Sequence, residues 1–180
     1  MKNLTTDKGF TIIETLVAIT VLMIAIAGPL VVANKGLTGA IVSKDQMTAS
    51  YLAQESMEAI KNIRDNNVQQ LGPSSWLTGF NVSSQCNSAS NLCDASAIDA
   101  PTITNAAAQM YVSANGYYSH TGSAIRTPFI RSFYLSAPGL PGSPCQAASN
   151  ECTVNVMVNW NEGINPYRIT LVSELTSAAR

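Results

Sequence analysis

A chain of 180 residues with a formal net charge of −1 and 12% charged residues has no basic surplus. That excludes charge-driven binding to nucleic acid or to an anionic membrane surface as its class. The length sets one globular domain as the default, but polarity is unevenly spread. Residues 15–34 carry no charge, while the rest is rich in Asn, Ser, Thr and Ala, without a collagen-like, heptad or solenoid repeat.

The first nine residues are polar, with Lys2 and Lys8 opposed by Asp7. Under the positive-inside tendency they stay on the cytoplasmic side of a membrane. Thr15–Ala33 is an apolar run broken only by Gly28-Pro29, and about 20 such residues span a bilayer as a helix. A secretory signal peptide would be shorter and would end in a small-residue cleavage site, which Val32-Ala33-Asn34 does not supply. A plain signal anchor accounts for the length but leaves Glu14 unexplained. A carboxylate in a lipid-facing segment is costly unless it lies at the interface or finds a partner. No cation stands between Glu14 and Lys35. The partner therefore belongs to another molecule, or is a newly exposed amino terminus.

Lys8-Gly9, then Phe10-Thr11-Ile12-Ile13-Glu14, then an apolar run resembles the cleavage and assembly motif of type IV prepilins and type II secretion pseudopilins. The motif covers about the first 25 residues. The resemblance implies a prepilin peptidase cut on the cytoplasmic side between Gly9 and Phe10, and N-methylation of Phe10. The mature chain would keep its membrane helix. Glu14 would pair with the amino terminus of a neighbouring subunit, two buried groups neutralised only in the assembled state.

Beyond the span, Leu37, Ile41, Tyr51, Leu52, Met57, Ile60 and Ile63 recur at helical spacings. Lys61 can pair with Glu58 and with Asp65 on an exposed face. The helix is predicted to run from Phe10 to about Asp65 and to stop at Asn66-Asn67 and Gly72-Pro73. Gly28-Pro29 is the expected helix break, since proline removes a donor and clashes with the carbonyl of Ala25. Gly36 and Gly39 weaken the following turns. The resulting division is a leader at 1–9, a membrane and assembly helix at 10–34, an amphipathic helix at 35–67 and a globular extracytoplasmic part at 68–180.

Residues 66–124 read as long loops, with Trp76, Leu77 and Phe80 tucked onto the helix and one short helix or strand near 106–112. Cys86–Cys93 and Cys145–Cys152 both enclose C-x-x-A-S-N-x-C. The economical reading is one disulfide within each motif, although four cysteines allow three connectivities. A zinc site is the rival, but zinc prefers closer spacing and His120 is the lone histidine. Disulfides imply an oxidising location.

Three β-rich stretches follow, at 125–135, 153–160 and 167–175. The second alternates, with Val154, Val156, Val158 and Trp160 on one face. Pro128 marks an edge or a bulge, and 161–166 supplies turn residues. A three-stranded antiparallel meander with one face on the helix is predicted. The fold class is therefore α+β, a long N-terminal helix on a C-terminal antiparallel sheet, as in pilins.

No catalytic constellation emerges. Neither a nucleophile elbow nor a phosphate loop nor a dinucleotide fingerprint is present. His120 reads as a solvated loop residue. Arg126, Arg131 and Arg168 could share one sheet surface and touch DNA phosphates, but read more simply as solvated charges. No cofactor and no metal are expected, and the chain is not expected to be an enzyme. Residues 52–60 and the sheet ending Val-Asn-Trp-Asn resemble minor pilins of the PilV type and type II secretion pseudopilin I. The resemblance implies other subunits, prepilin peptidase, an inner-membrane assembly platform and membrane lipid as partners. It places the N-terminus in the cytoplasm and the globular part outside. The other classes are an anchored binding module that never polymerises and an anchored hydrolase.

Overall fold

The structure, a computed structural model, describes residues 9–80, 82–96, 102–104, 106–120, 125–146 and 148–178. It divides into two units, Met1–Lys44 and Asp45–Arg180. One helix, α1 (Ile12–Leu71), supplies the regular structure of the first unit and the opening element of the second. The expected leader lies outside the described residues apart from Gly9.

In the first unit every residue from 9 to 41 is exposed. The few hydroxyls of this apolar stretch satisfy themselves on their own backbone. Thr15 donates to the Ile12 carbonyl at 2.7 Å and Thr20 to that of Val17 at 2.8 Å, which spares the helix unpaired polar groups. Gly28 and Pro29, the expected weak point, lie inside α1, which continues through them. A proline inside a helix costs about 3 kcal/mol through one lost hydrogen bond and a ring clash. The continuous turns on either side absorb that cost.

In the second unit α1 buries Ala49, Leu52, Ala53, Ser56, Met57 and Ile60, a stripe at three- and four-residue spacing. Tyr51, expected on that face, is exposed. Lys61 pairs with Glu58 at 3.1 Å, while Asp65 pairs with Arg64 instead. The helix also outlasts its predicted end at Asn66-Asn67. Asn66 bonds back to Asn62, and Asn67 donates to the carbonyls of Trp76 and Thr78. Their amides are thus used on side chains and tertiary contacts rather than on a turn, and buried Val68 keeps the next turn docked. Gly72, with φ +88° and ψ 167°, stops the helix in an extended positive-φ conformation that glycine adopts without strain. Pro73–Ser75 then forms a short 3-10 turn. Trp76, Leu77 and Phe80 bury against the helix as expected.

A two-stranded ribbon follows, β1 (Asp94–Ser96) with β2 (Thr102–Thr104). The main sheet contains β3 (Ala108–Val112), β4 (Tyr118–Ser119), β5 (Ile125–Ala137), β6 (Leu140–Pro144), β7 (Glu151–Glu162) and β8 (Asn165–Thr176). Its antiparallel order is β4-β3-β5-β7-β8, with β6 paired to the end of β5. The predicted meander is present, widened by β3 and β4 on one side. Pro128 falls in a bulge: the register shifts between Gln109↔Ile130 and Tyr111↔Arg126. The Gln109 amide fills that gap by donating to the carbonyls of Thr127 and Phe129. β7 and β8 pair over twelve positions and join through Gly163-Ile164. Gly163, with φ +60°, occupies the first central position of a two-residue hairpin turn, where a positive φ is required.

Two disulfides join Cys86 to Cys93 and Cys145 to Cys152. The first holds a loop onto β5: Cys93 exchanges backbone hydrogen bonds with Phe133, and the Cys86 carbonyl accepts from Leu135. Each closes a loop of sequence separation 7, short enough to limit its entropic worth to about 2–3 kcal/mol. Replacing Cys86 and Cys93 by Ser should lower stability by about that amount in urea denaturation. An unchanged midpoint would mean that the strand contacts alone hold this loop.

Candidate functional site

The N-terminal motif is organised by Thr11. Its carbonyl accepts from the Glu14 and Thr15 amides at 3.1 and 3.2 Å, and its Oγ1 lies 3.4 Å from the Glu14 nitrogen. Thr11 is therefore the helix N-cap and Glu14 the third residue of α1, the Thr-x-x-Glu spacing of a capping box. The contact uses the Glu14 backbone amide, and sequence reasoning missed this cap by Thr11, although the spacing was legible. A carboxylate in a first turn also meets the positive end of the helix dipole. Gly9 and Phe10 precede the helix and are exposed, Phe10 to 75%. From Ile12 onward the surface is Ile, Leu, Val, Met and Ala. α1 is long and apolar enough to cross a membrane.

The second feature is a buried charge cluster in the unit 45–180. Arg131 of β5 is fully buried, which corrects its reading as a solvated surface charge. Its position in the period-two run Phe129, Arg131, Phe133, Leu135 carried the signal, since the other three are core residues. Nε donates to Asp94 Oδ1 at 2.6 Å and Nη2 to Asp94 Oδ2 at 3.1 Å. Nη2 also donates to the Ala95 carbonyl, and Nη1 reaches the Leu52 carbonyl and Glu55 Oε2. All five guanidinium donors are thereby engaged. The group ties α1, β1 and β5 together and keeps no donor for a substrate.

Burial pushes the Asp94 carboxyl above its ordinary pKa, against the opposing hydrogen bonds and charge of Arg131. For Arg131, burial alone would lower the pKa, but Asp94 and then Glu55 outweigh it and raise the value. His120 is also corrected. Its side chain is largely buried and Nδ1 lies 3.6 Å from Asp94 Oδ2, so it borders the cluster rather than standing in solvent.

The three arginines do not form one surface. Arg126 is exposed on β5 and Arg168 is exposed on β8, where its Nε donates to Asn159. The four cysteines are joined as disulfides, and among the described residues no group of three or more His, Cys, Asp or Glu side chains could hold a metal ion.

Residues 4–28 match the family model of the prokaryotic N-terminal methylation motif. The match takes in Gly9, Phe10, Thr11 and Glu14 and supports a type IV pilin-like protein. With the apolar helix it fits a single-pass membrane-anchored chain. No curated protein and no solved structure matches the chain.

Arg131→Met should cost about 3–5 kcal/mol in urea denaturation, because Asp94 is left buried without its counter-charge. The double variant Asp94→Leu/Arg131→Met should recover most of that loss. A single-variant loss below about 1 kcal/mol would show that the tie contributes no more than a surface pair.

Proposed function

We propose that the chain is the precursor of a minor type IV pilin or pseudopilin. In this reading prepilin peptidase cuts between Gly9 and Phe10 and methylates the new amine of Phe10. The mature protein rests in the cytoplasmic membrane through α1, with its globular unit outside. An inner-membrane assembly platform then moves it into a pilus or pseudopilus, where it primes assembly or supports the tip. The single observation that carries this reading is the methylation motif set directly against a charge-free apolar stretch, residues 15–34. The cut falls before the apolar stretch, so the anchor survives processing and serves again as the assembly surface.

The chemistry follows from where charge sits. In the membrane, Glu14 lies at the start of the span and the methylated amine of Phe10 just before it. A neighbouring subunit shifted along the helix axis brings its amine beside Glu14, and the two neutralise each other away from water. Removing one partner of such a pair costs roughly 3–5 kcal/mol, whereas a tenfold change in incorporation needs only about 1.4 kcal/mol. Gly28 and Pro29 lie in the second half of the apolar stretch. There the proline has removed one backbone hydrogen bond in advance, and in this reading the helix bends or unwinds at that place on packing.

The capping contact of Thr11 and Glu14 supports a second reading, a membrane-anchored binding module that does not polymerise. There Glu14 serves only to start the helix. The two readings part at Glu14→Gln, because the substitution leaves the backbone amide capped by Thr11 but loses the charge. Glu14→Gln and Glu14→Ala should both reduce incorporation into filaments more than about tenfold at unchanged membrane level. The measurement is the ratio of filament to membrane protein in the producing cell. If Glu14→Gln assembles like the parent, the charge has no partner and the anchored module stands.

A further inference from the structure

The unit 45–180 carries an arrangement that the assembly reading does not use. A cleft of about 510 Å³ lies between the α1 segment Thr48–Glu55 and the turn joining β3 to β4, walled by Tyr51, Leu52, Glu55, Tyr117 and Tyr118. Tyr51 and Glu55 are one helical turn apart and share a ridge of α1. Tyr118 sits edge-on to Phe129, with ring centroids 6.3 Å apart, so one wall is fixed to the core. Tyr51 and Tyr117 are 64% and 70% exposed, so their rings stand at the mouth.

Glu55 is the one ionisable carboxylate among these lining residues, and behind it two carboxylates meet one cation. Glu55 and Asp94 share the single guanidinium of Arg131. Glu55 gives Oε2 to Arg131, while its Oε1 is buried and has no hydrogen-bond partner. Arg131 has no donor left for it. A buried carboxylate oxygen without a donor is a costly state.

We infer that this cleft receives the ammonium or guanidinium head of a lysine or arginine side chain carried by a protein partner. The Glu55 carboxylate, with its side chain 30% exposed, supplies the counter-charge. The faces of Tyr51 and Tyr117 attract the cation through their ring electrons. The methylene stem of the incoming residue lies along Leu52 and Tyr118. A protein fits better than a free amine because the mouth is rimmed by apolar surface. Met47, one turn before Tyr51, is 60% exposed and joins the two tyrosines in a patch that a small amine leaves wet and a polypeptide covers. The inference does not depend on filament assembly and holds equally for an anchored module.

The test is a titration of the full-length protein in detergent micelles, followed by NMR of methyl-labelled methionine and of the tyrosine rings. The probes are Nα-acetyl-lysine N-methylamide, its arginine and norleucine counterparts, and n-butylammonium chloride. The capped lysine and arginine should shift the Met47 methyl and the tyrosine signals saturably, with norleucine at least about tenfold weaker. Glu55→Gln should weaken the lysine probe at least about tenfold. Tyr117→Leu, at an exposed turn away from Arg131, should weaken it about three- to fivefold and stays readable even if Glu55→Gln fails to fold. Equal binding of norleucine and lysine would overturn the cation site. Binding of n-butylammonium as strong as that of the capped lysine would overturn the protein partner.

Discussion

The rest of the structure depends on an apolar surface that has to leave water. From Phe10 to Ile41 every side chain of the first unit is exposed, and residues 15–34 carry no charge. Burying one large aliphatic side chain is worth about 1.5–3 kcal/mol. A run of them therefore outweighs by a wide margin the ~1 kcal/mol of a helix cap or the ~3 kcal/mol of an internal proline. That ordering of magnitudes accounts for a helix that continues through Pro29. It also explains why a single carboxylate at the entrance is informative. In the proposed reading the same surface is covered twice, first by lipid and then by neighbouring helices.

The second unit solves a different problem. Its polar stretch between α1 and β3 has few large apolar residues with which to anchor itself. Two devices hold it. The Cys86–Cys93 disulfide fixes its loop against Phe133 and Leu135, and Asp94, the next residue, reaches the buried Arg131. A covalent closure and an ion pair thus stand side by side. The disulfide belongs to an oxidising compartment, so completion of this unit fits a site outside the cytoplasm.

Much of the fold was legible in the sequence, for physical reasons that differ by element. The first part of α1 showed itself by the length and charge-free composition of residues 15–34, and the later part by its helical spacing. β7 showed itself by strict alternation from Val154 to Trp160. Pro128 announced its bulge. What stayed hidden was set by tertiary partners. Asn66-Asn67 looked like a stop until Trp76 and Thr78 gave Asn67 other acceptors. Arg131 looked solvated because charge argued for the surface while its place in the strand argued for the core, and Asp94 decided the matter. His120 was hidden in the same way. At the site itself Gly9, Phe10 and Glu14 carried their signal in the motif, whereas the capping role of Thr11 was overlooked beside it.

The assembly reading rests on where the mature chain begins. Intact mass and N-terminal sequence of the protein taken from membranes, with and without prepilin peptidase, test this most directly. The proposed function predicts a start at methylated Phe10 when the peptidase is present and at Met1 when it is absent. A start at Met1 in both would contradict it. Glu14 would then remain a capping residue on an anchored module.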